Sequence, residues 1–372
     1  MRFDMTKTTF IKRILAVTLT LLLLVAAAVF VFDPFFHYHK PWFGLKAVLT
    51  DKEYQCIGTL RTFDYDALIV GSSVTENNDN TWFDEDFGVT SIKAARSYGM
   101  TADLCYLMDV AWETHDLKYV FYNIDAAALA SEPEVTFESS GCPMYLYDKN
   151  PINDVKYLWN KDVLLEKIPY MVAQSVIGDY EEGKSYNWAQ WKQFGEADVF
   201  SHYYRMRDAH EMLPQDAYAD LCEQNLALIT AQVEAHPDTQ YVFFFPPYSM
   251  LWWDTIIRAG ERDAYLYNLR MAAERLLQYE NVSLYDFSSD EGWVLNLNNY
   301  MDTAHFTAEI NHAMEQLMAG HPLEDGRTPE MYRLTTDNYE AAFERLKTLT
   351  TETIPALLEQ YEQEERFLYD QG

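Results

Sequence analysis

This sequence predicts an α/β fold built on a parallel sheet, and three observations carry that expectation. Short apolar runs end in turn residues, helix-length segments separate them, and polar residues collect just after the runs. The clearest run is Asp66-Ala67-Leu68-Ile69-Val70-Gly71-Ser72-Ser73-Val74-Thr75-Glu76-Asn77. Its four consecutive apolar residues are too few for a helix and read as a strand buried on both faces, as in parallel sheets. The strand stops at Gly71, where a missing Cβ permits a sharp turn. Ser72 and Ser73 follow at its carboxyl end, where open α/β sheets place their ligands.

Taken in order, the chain first presents Ile14 to Phe32, nineteen residues without a charge. That is long enough to cross a hydrocarbon core as a helix, which needs roughly 20 residues. Arg2, Lys7, Lys12 and Arg13 precede it against Asp4 alone, so residues 1–13 are expected in the cytoplasm and the remainder outside. A cleaved signal peptide is the rival reading, but its apolar region runs only about 7–15 residues. Asp33 to Trp42 follows with His37, His39 and several aromatics, which read as an interfacial collar rather than a metal site. It opens a juxtamembrane segment over 33–60.

The α/β domain is expected over 61–335. After the serine strand, Val89 to Ala95 reads as a second strand. A turn over Ser97 to Met100 leads into a helix capped by Thr101. Lys118 to Ile124, followed by Asp125, is a third strand. From about 132 to 215 the rhythm lapses into an aromatic-rich insertion that includes Trp188 and Trp191. These can stack on sugar rings or simply pack as core. The rhythm resumes with a helix from about Ala217 to His236 and the strand Tyr241 to Phe245, with Tyr248 and Ser249 just beyond it as candidate substrate contacts. A helix from Ile256 to Tyr279 and a fifth strand, Val282 to Asp286, follow. Residues 336–372 read as a charged C-terminal helix.

The 372 residues are 49% hydrophobic and 15% aromatic, ample for a sizeable core, and carry a formal charge of −30. A polyanion such as nucleic acid needs a basic face, so it is excluded as a partner. Cys56, Cys105, Cys142 and Cys222 are widely spaced, which excludes the usual zinc and thioredoxin-like spacings and leaves core thiols or one or two disulfides open.

Shortly after the fifth strand comes Asp302-Thr303-Ala304-His305. An Asp and a His three apart in a loop can approach one serine together, the carboxylate orienting the imidazole and the imidazole taking the serine proton. Thr307 then caps a helix over Ala308 to Met318. The other reading of D-x-x-H is a capping Asp beside a surface His. What favours catalysis is the order: serines after the first strand, D-x-x-H after the last, parallel-sheet units between.

These residues resemble the SGNH, or GDSL-like, hydrolase and acyltransferase superfamily. Gly71-Ser72-Ser73-Val74 stands in place of Gly-Asp-Ser-Leu, and Asp302 and His305 match its last block. Gly99 stands for the glycine of the second block. Tyr122-Asn123-Ile124-Asp125 represents the third, without its glycine. Ser72 in place of aspartate, the amino-terminal anchor and Asp33-Pro34-Phe35-Phe36 look more like the membrane-anchored cell-surface O-acyltransferases, including those that D-alanylate lipoteichoic acid. The resemblance implies a flavodoxin-like three-layer sandwich around a parallel five-stranded sheet. It implies Ser73, His305 and Asp302 as catalytic residues, with Ser73, Gly99 and Asn123 donating to the oxyanion, and no cofactor or metal. The implied activity is that of a serine esterase or O-acyltransferase on a cell-surface polysaccharide. Its partners would be a surface glycan or acyl donor and a polytopic membrane acyltransferase. The rival reading is a catalytically idle domain that binds glycan or scaffolds such an acyltransferase.

Overall fold

The computed structural model describes residues 7–370, and these divide into two compact units. Arg2 and Asp4, which enter the argument for orientation, lie outside the described residues.

The larger unit comprises 64–136 and 183–372 and holds a mixed sheet of six strands. In chain order these are β1 (Ala67–Gly71), β2 (Ser91–Ala95), β3 (Tyr119–Asn123), β4 (Gln240–Phe245), β5 (Val282–Asp286) and β6 (Arg333–Leu334). Their spatial order is β2-β1-β3-β4-β5-β6. The first five run parallel, with Leu68 opposite Ile92 and Val120, and Phe243 opposite Tyr122 and Leu284. Every residue of β1 is buried, as a strand covered on both faces requires. Where five strands are expected, six are found. The sixth is a two-residue antiparallel edge, too short to leave a hydropathy pattern.

Helices join and cover the strands. Asn80–Phe87 packs on β2 and against Ala308–Met318, while Thr101–Trp112, Ala219–Ala235 and Arg262–Leu276 form a second group. The single helix expected from Ile256 to Tyr279 is two, Met250–Arg258 and Arg262–Leu276. The break is at Gly260, which takes φ 76° where a Cβ would lie 2.2 Å from the Glu211 carbonyl oxygen. Only glycine tolerates both demands. The C-terminal region is helical without a break over 339–363, with a π-helical turn, Leu349–Thr353, between Tyr339–Thr348 and Ile354–Gln363, and Leu368–Tyr369 then pairs with Tyr204–Arg205.

The smaller unit comprises 1–63 and 137–182, so the juxtamembrane segment and much of the aromatic insertion fold together. It begins with the helix Lys7–Phe32, long and apolar enough to cross a membrane by length and composition. Asp33 ends this helix and folds the collar. Its carboxylate accepts N–H bonds from His37, Tyr38 and His39 at 2.7–3.1 Å and the Tyr157 hydroxyl at 2.7 Å. His39 stacks on Trp42 with ring centroids 3.7 Å apart, and His37 Nε2 lies 3.3 Å from Asp154. All four cysteines are buried free thiols.

Candidate active site

The serine turn is built by close approach. A Cβ on Gly71 would lie 2.1 Å from Thr75 Oγ1, so only glycine lets the chain fold back there. Consecutive turns follow, with Thr75 N–H donating to Ser72 O and Glu76 N–H to Ser73 O. Lys93, fully buried on β2, donates to the carbonyls of Glu76 at 2.8 Å and Asn78 at 2.6 Å, and also to that of Ser185. It thereby ties the serine turn to the segment after residue 183. Glu76 is fully buried as well; burial pushes the Lys93 amine down to about 7, against the charge of Glu76, which favours the ammonium.

The D-x-x-H loop is fastened at several points. Tyr300 is fully buried and donates its hydroxyl to Pro247 O at 2.6 Å. Met301 N–H donates to His305 O at 2.9 Å, and Thr307 N–H to Asn299 O at 2.9 Å. Ser249 donates both its N–H and its Oγ–H to Thr303 O, at 3.2 and 2.6 Å. Both Ser249 donors are thus engaged inside the protein. The residue is fully buried, accepts from Trp252 N–H as the cap of Met250–Arg258, and pins the loop to the end of β4.

These two elements bring three side chains together. Ser73 Oγ lies 2.7 Å from His305 Nε2, and His305 Nδ1 lies 2.7 Å from Asp302 Oδ2. A carboxylate only accepts, so Nδ1 carries the proton and Nε2 is left to accept from the serine hydroxyl. Asp302 Oδ1 accepts from the N–H groups of Ala304 and His305 at 2.9 and 2.8 Å. Burial pushes the Asp302 carboxyl up, but the bonds and charge of His305 and these N–H groups outweigh it, so the group sits below the usual carboxylate range. Trp188 Nε1 donates to Ser73 O at 3.0 Å, and its ring meets the His305 ring edge-on at 5.0 Å. Trp188 thus contacts the serine–histidine pair itself, whereas Trp191 is largely exposed.

Beside Ser73 lies a cavity of about 160 Å³, walled by Tyr98, Met100, Ala127, Ala128 and Trp252 and also lined by Gly99, Tyr248 and His305. Asp125 reaches it and accepts from Tyr248 OH, from Ser72 and from Asn123 Nδ2. Burial pushes the Asp125 carboxyl up, against the pull of those donors and of His305. A larger groove of about 700 Å³, lined by residues such as Asp290, Met331 and Arg345, lies elsewhere and holds no nucleophile–base pair.

Of the donors expected at the oxyanion, the Gly99 N–H is committed elsewhere and Asn123 has one of its two amide hydrogens engaged. Gly99 N–H donates to Arg96 O at 3.0 Å, because Tyr98 takes φ 54° and closes that turn. Asn123 Nδ2 donates to Asp125 at 3.1 Å. Among the described residues the N–H groups of Ser73 and Val74 have no acceptor, and both residues line the cavity. The partners that sequence reasoning missed are Asp125, Ser72 as its donor, and the Trp188 bond to Ser73. Asp125 stands in the strand-end stretch already singled out. Ser72 and Trp188 are singled out as well, but nothing in the sequence points to these particular bonds. Neither a scan against protein-family models nor a search of curated proteins gives a match.

Proposed function

We propose that this chain is a membrane-anchored, extracytoplasmic SGNH-type serine esterase or O-acyltransferase acting on acyl groups of a cell-surface polysaccharide. The observation that supports it is the relay of two 2.7 Å contacts, Ser73 to His305 and His305 to Asp302. In this reading Ser73 Oγ attacks the acyl carbonyl carbon as its proton passes to His305 Nε2. Asp302 steadies the imidazolium that forms. The tetrahedral oxyanion is held by the Ser73 and Val74 N–H groups, which replace the Gly99 and Asn123 donors the resemblance implies. Collapse expels the alkoxide, which takes the proton from His305 and leaves Ser73 acylated. Water or a glycan hydroxyl then attacks the acyl-enzyme by the reverse proton path, and the two outcomes are hydrolysis and transfer. The apolar walls suit a short acyl chain, since about 160 Å³ admits few heavy atoms. The anchor reading rests on the helix Lys7–Phe32 and the excess of basic residues before it.

The second reading, an idle domain that binds glycan or scaffolds a membrane acyltransferase, is favoured by one observation: Gly99 N–H and Asn123 Nδ2 are already bonded within the protein. A fluorophosphonate probe separates the two. Full-length protein in detergent should label covalently, with the adduct on the peptide containing Ser73, and Ser73→Ala should abolish it. A folded wild-type protein that fails to label would overturn the enzymatic reading.

A further inference from the structure

The smaller unit carries an apolar surface that its own core does not use. Its π-helical turn Val163–Lys167 runs directly into the helix Ile168–Val176. One side of this continuous element buries Val163, Ile168 and Met171. The other side exposes Leu165, Pro169, Ala173, Val176 and Ile177, with Tyr170 beside them. Those positions recur at steps of three and four residues, so they form one ridge along the element. Leu165 is 69% exposed, Val176 71% and Ile177 85%, values that leave whole side chains in water if nothing covers them. Glu166 stands exposed at one edge of this ridge, so the surface is an apolar stripe with a charge beside it, and a stripe of that extent calls for an apolar neighbour.

What covers the ridge is indicated by its neighbour. The same π-helical turn, and the short helix Val155–Leu158 before it, pack against the helix Lys7–Phe32. Trp159 donates its Nε1–H to the carbonyl of Leu22 at 2.9 Å. Leu22 lies ten residues before Phe32, about 15 Å along the axis at 1.5 Å per residue. A side chain bonded at that point stands well inside the apolar stretch, and Trp is suited to such depth because it pairs a large apolar ring with one polar tip. An element that touches the spanning helix there, with its free side apolar, meets the same medium as that helix.

We propose that the Leu165–Ile177 ridge is a second membrane contact, seated in the apolar part of the bilayer beside the anchor. This rests on the reading of Lys7–Phe32 as a transmembrane helix. The unit is then held by two contacts: a spanning helix, and an element beside it that turns its apolar side toward the acyl chains. The ligand class is lipid acyl chains.

The test uses the full-length protein, alone in vesicles of phosphatidylcholine and phosphatidylglycerol at a high lipid-to-protein ratio. The native cysteines are buried, so an environment-sensitive fluorophore can be attached selectively at Leu165→Cys, Ile177→Cys, Leu21→Cys in the anchor, or the exposed Glu359→Cys. The expected result is blue-shifted emission at Leu165, Ile177 and Leu21, each quenched by lipids carrying a quencher on the acyl chain, with water-like unquenched emission at Glu359. Leu21 quenched while Leu165 and Ile177 remain water-like would overturn the inference alone, leaving a protein partner as the ridge's cover. Blue-shifted but unquenched emission at Leu165 and Ile177 would also overturn it, in favour of a second copy of this chain. Water-like emission at Leu21 as well would overturn the anchor reading and this inference together.

Discussion

A serine hydroxyl in water is a weak nucleophile, and what distinguishes Ser73 from Ser72 is the base each one meets. Ser73 Oγ faces His305 Nε2, whereas Ser72 donates to Asp125. In the proposed reaction Ser73→Ala and His305→Ala should each lower kcat for a small activated ester by on the order of 10⁶-fold. The double variant should lose little more, because the groups act as a unit. Asp302→Asn should cost about 10⁴-fold, by permitting the wrong imidazole tautomer. Ser72→Ala should retain most of the activity. Loss of activity in Ser72→Ala with its retention in Ser73→Ala would shift the nucleophile by one residue. The same neighbourhood shows where motif reading reaches its limit. Gly99 and Asn123 match by position, yet the Gly99 N–H and one Asn123 amide hydrogen are taken up inside the protein, and no sequence pattern reports which acceptor an N–H has found.

The elements are held together by buried polar groups whose partners lie far away in the chain. Lys93 is the clearest case, fully buried on β2 with the carbonyls of Glu76, Asn78 and Ser185 around its ammonium. Lys93→Met should destabilise the protein by about 1–3 kcal/mol or more, because the buried carbonyls of Glu76, Asn78 and Ser185 would lose the donor they share. Urea unfolding measures this, and a loss under 1 kcal/mol would show that Lys93 is not the fastener described. A buried group of the opposite kind sits where the helices Asn80–Phe87 and Ala308–Met318 meet: both Glu315 carboxyl oxygens lack a hydrogen-bond partner among the described residues. Burial, followed by the charge of Asp86, raises the Glu315 carboxyl to about 8. The folded state therefore keeps a proton that the unfolded state releases above its ordinary value, and stability falls as pH rises from about 4.5 to about 8. Glu315→Gln should raise the Tm at pH 8 and give little gain at pH 5, at about 2–4 °C per kcal/mol for a domain of this size. An equal effect at both pH values would refute the titration account.

At the scale of the whole molecule, a formal charge of −30 surrounds the chain with negative potential. That potential slows the approach of polyanions, and salt screens it beyond roughly 8–10 Å. A neutral or weakly charged polysaccharide is thus the acceptor expected under the proposed function. With an activated ester as donor, transfer to a neutral glycan should change little with salt, and transfer to a teichoic acid should be slow and should speed up as salt is added. Faster transfer to the teichoic acid at low salt than at high salt would require a basic cleft and would contradict this.

By itself the sequence determined whatever depends on local pattern. The parallel strands were legible as short apolar runs, since a strand buried on both faces must be apolar at successive positions. The apolar stretch Ile14–Phe32 was legible for the same reason, and so were Ser73, Asp302 and His305 as candidates, because their types and order follow the sheet. The tertiary structure alone decided what depends on distance across the chain. The two-residue strand Arg333–Leu334 exists only because β5 offers it an edge. Position 260 demands glycine because the Glu211 carbonyl oxygen, 49 positions earlier, lies 2.2 Å from where a Cβ would be. Segments 1–63 and 137–182 form one unit although 73 residues separate them in sequence. Ser249, Trp188 and Lys93 acquire their roles from carbonyls 54, 115 and up to 92 positions away. A backbone carbonyl is the same group at every residue, so which donor it satisfies is set by where folding brings it.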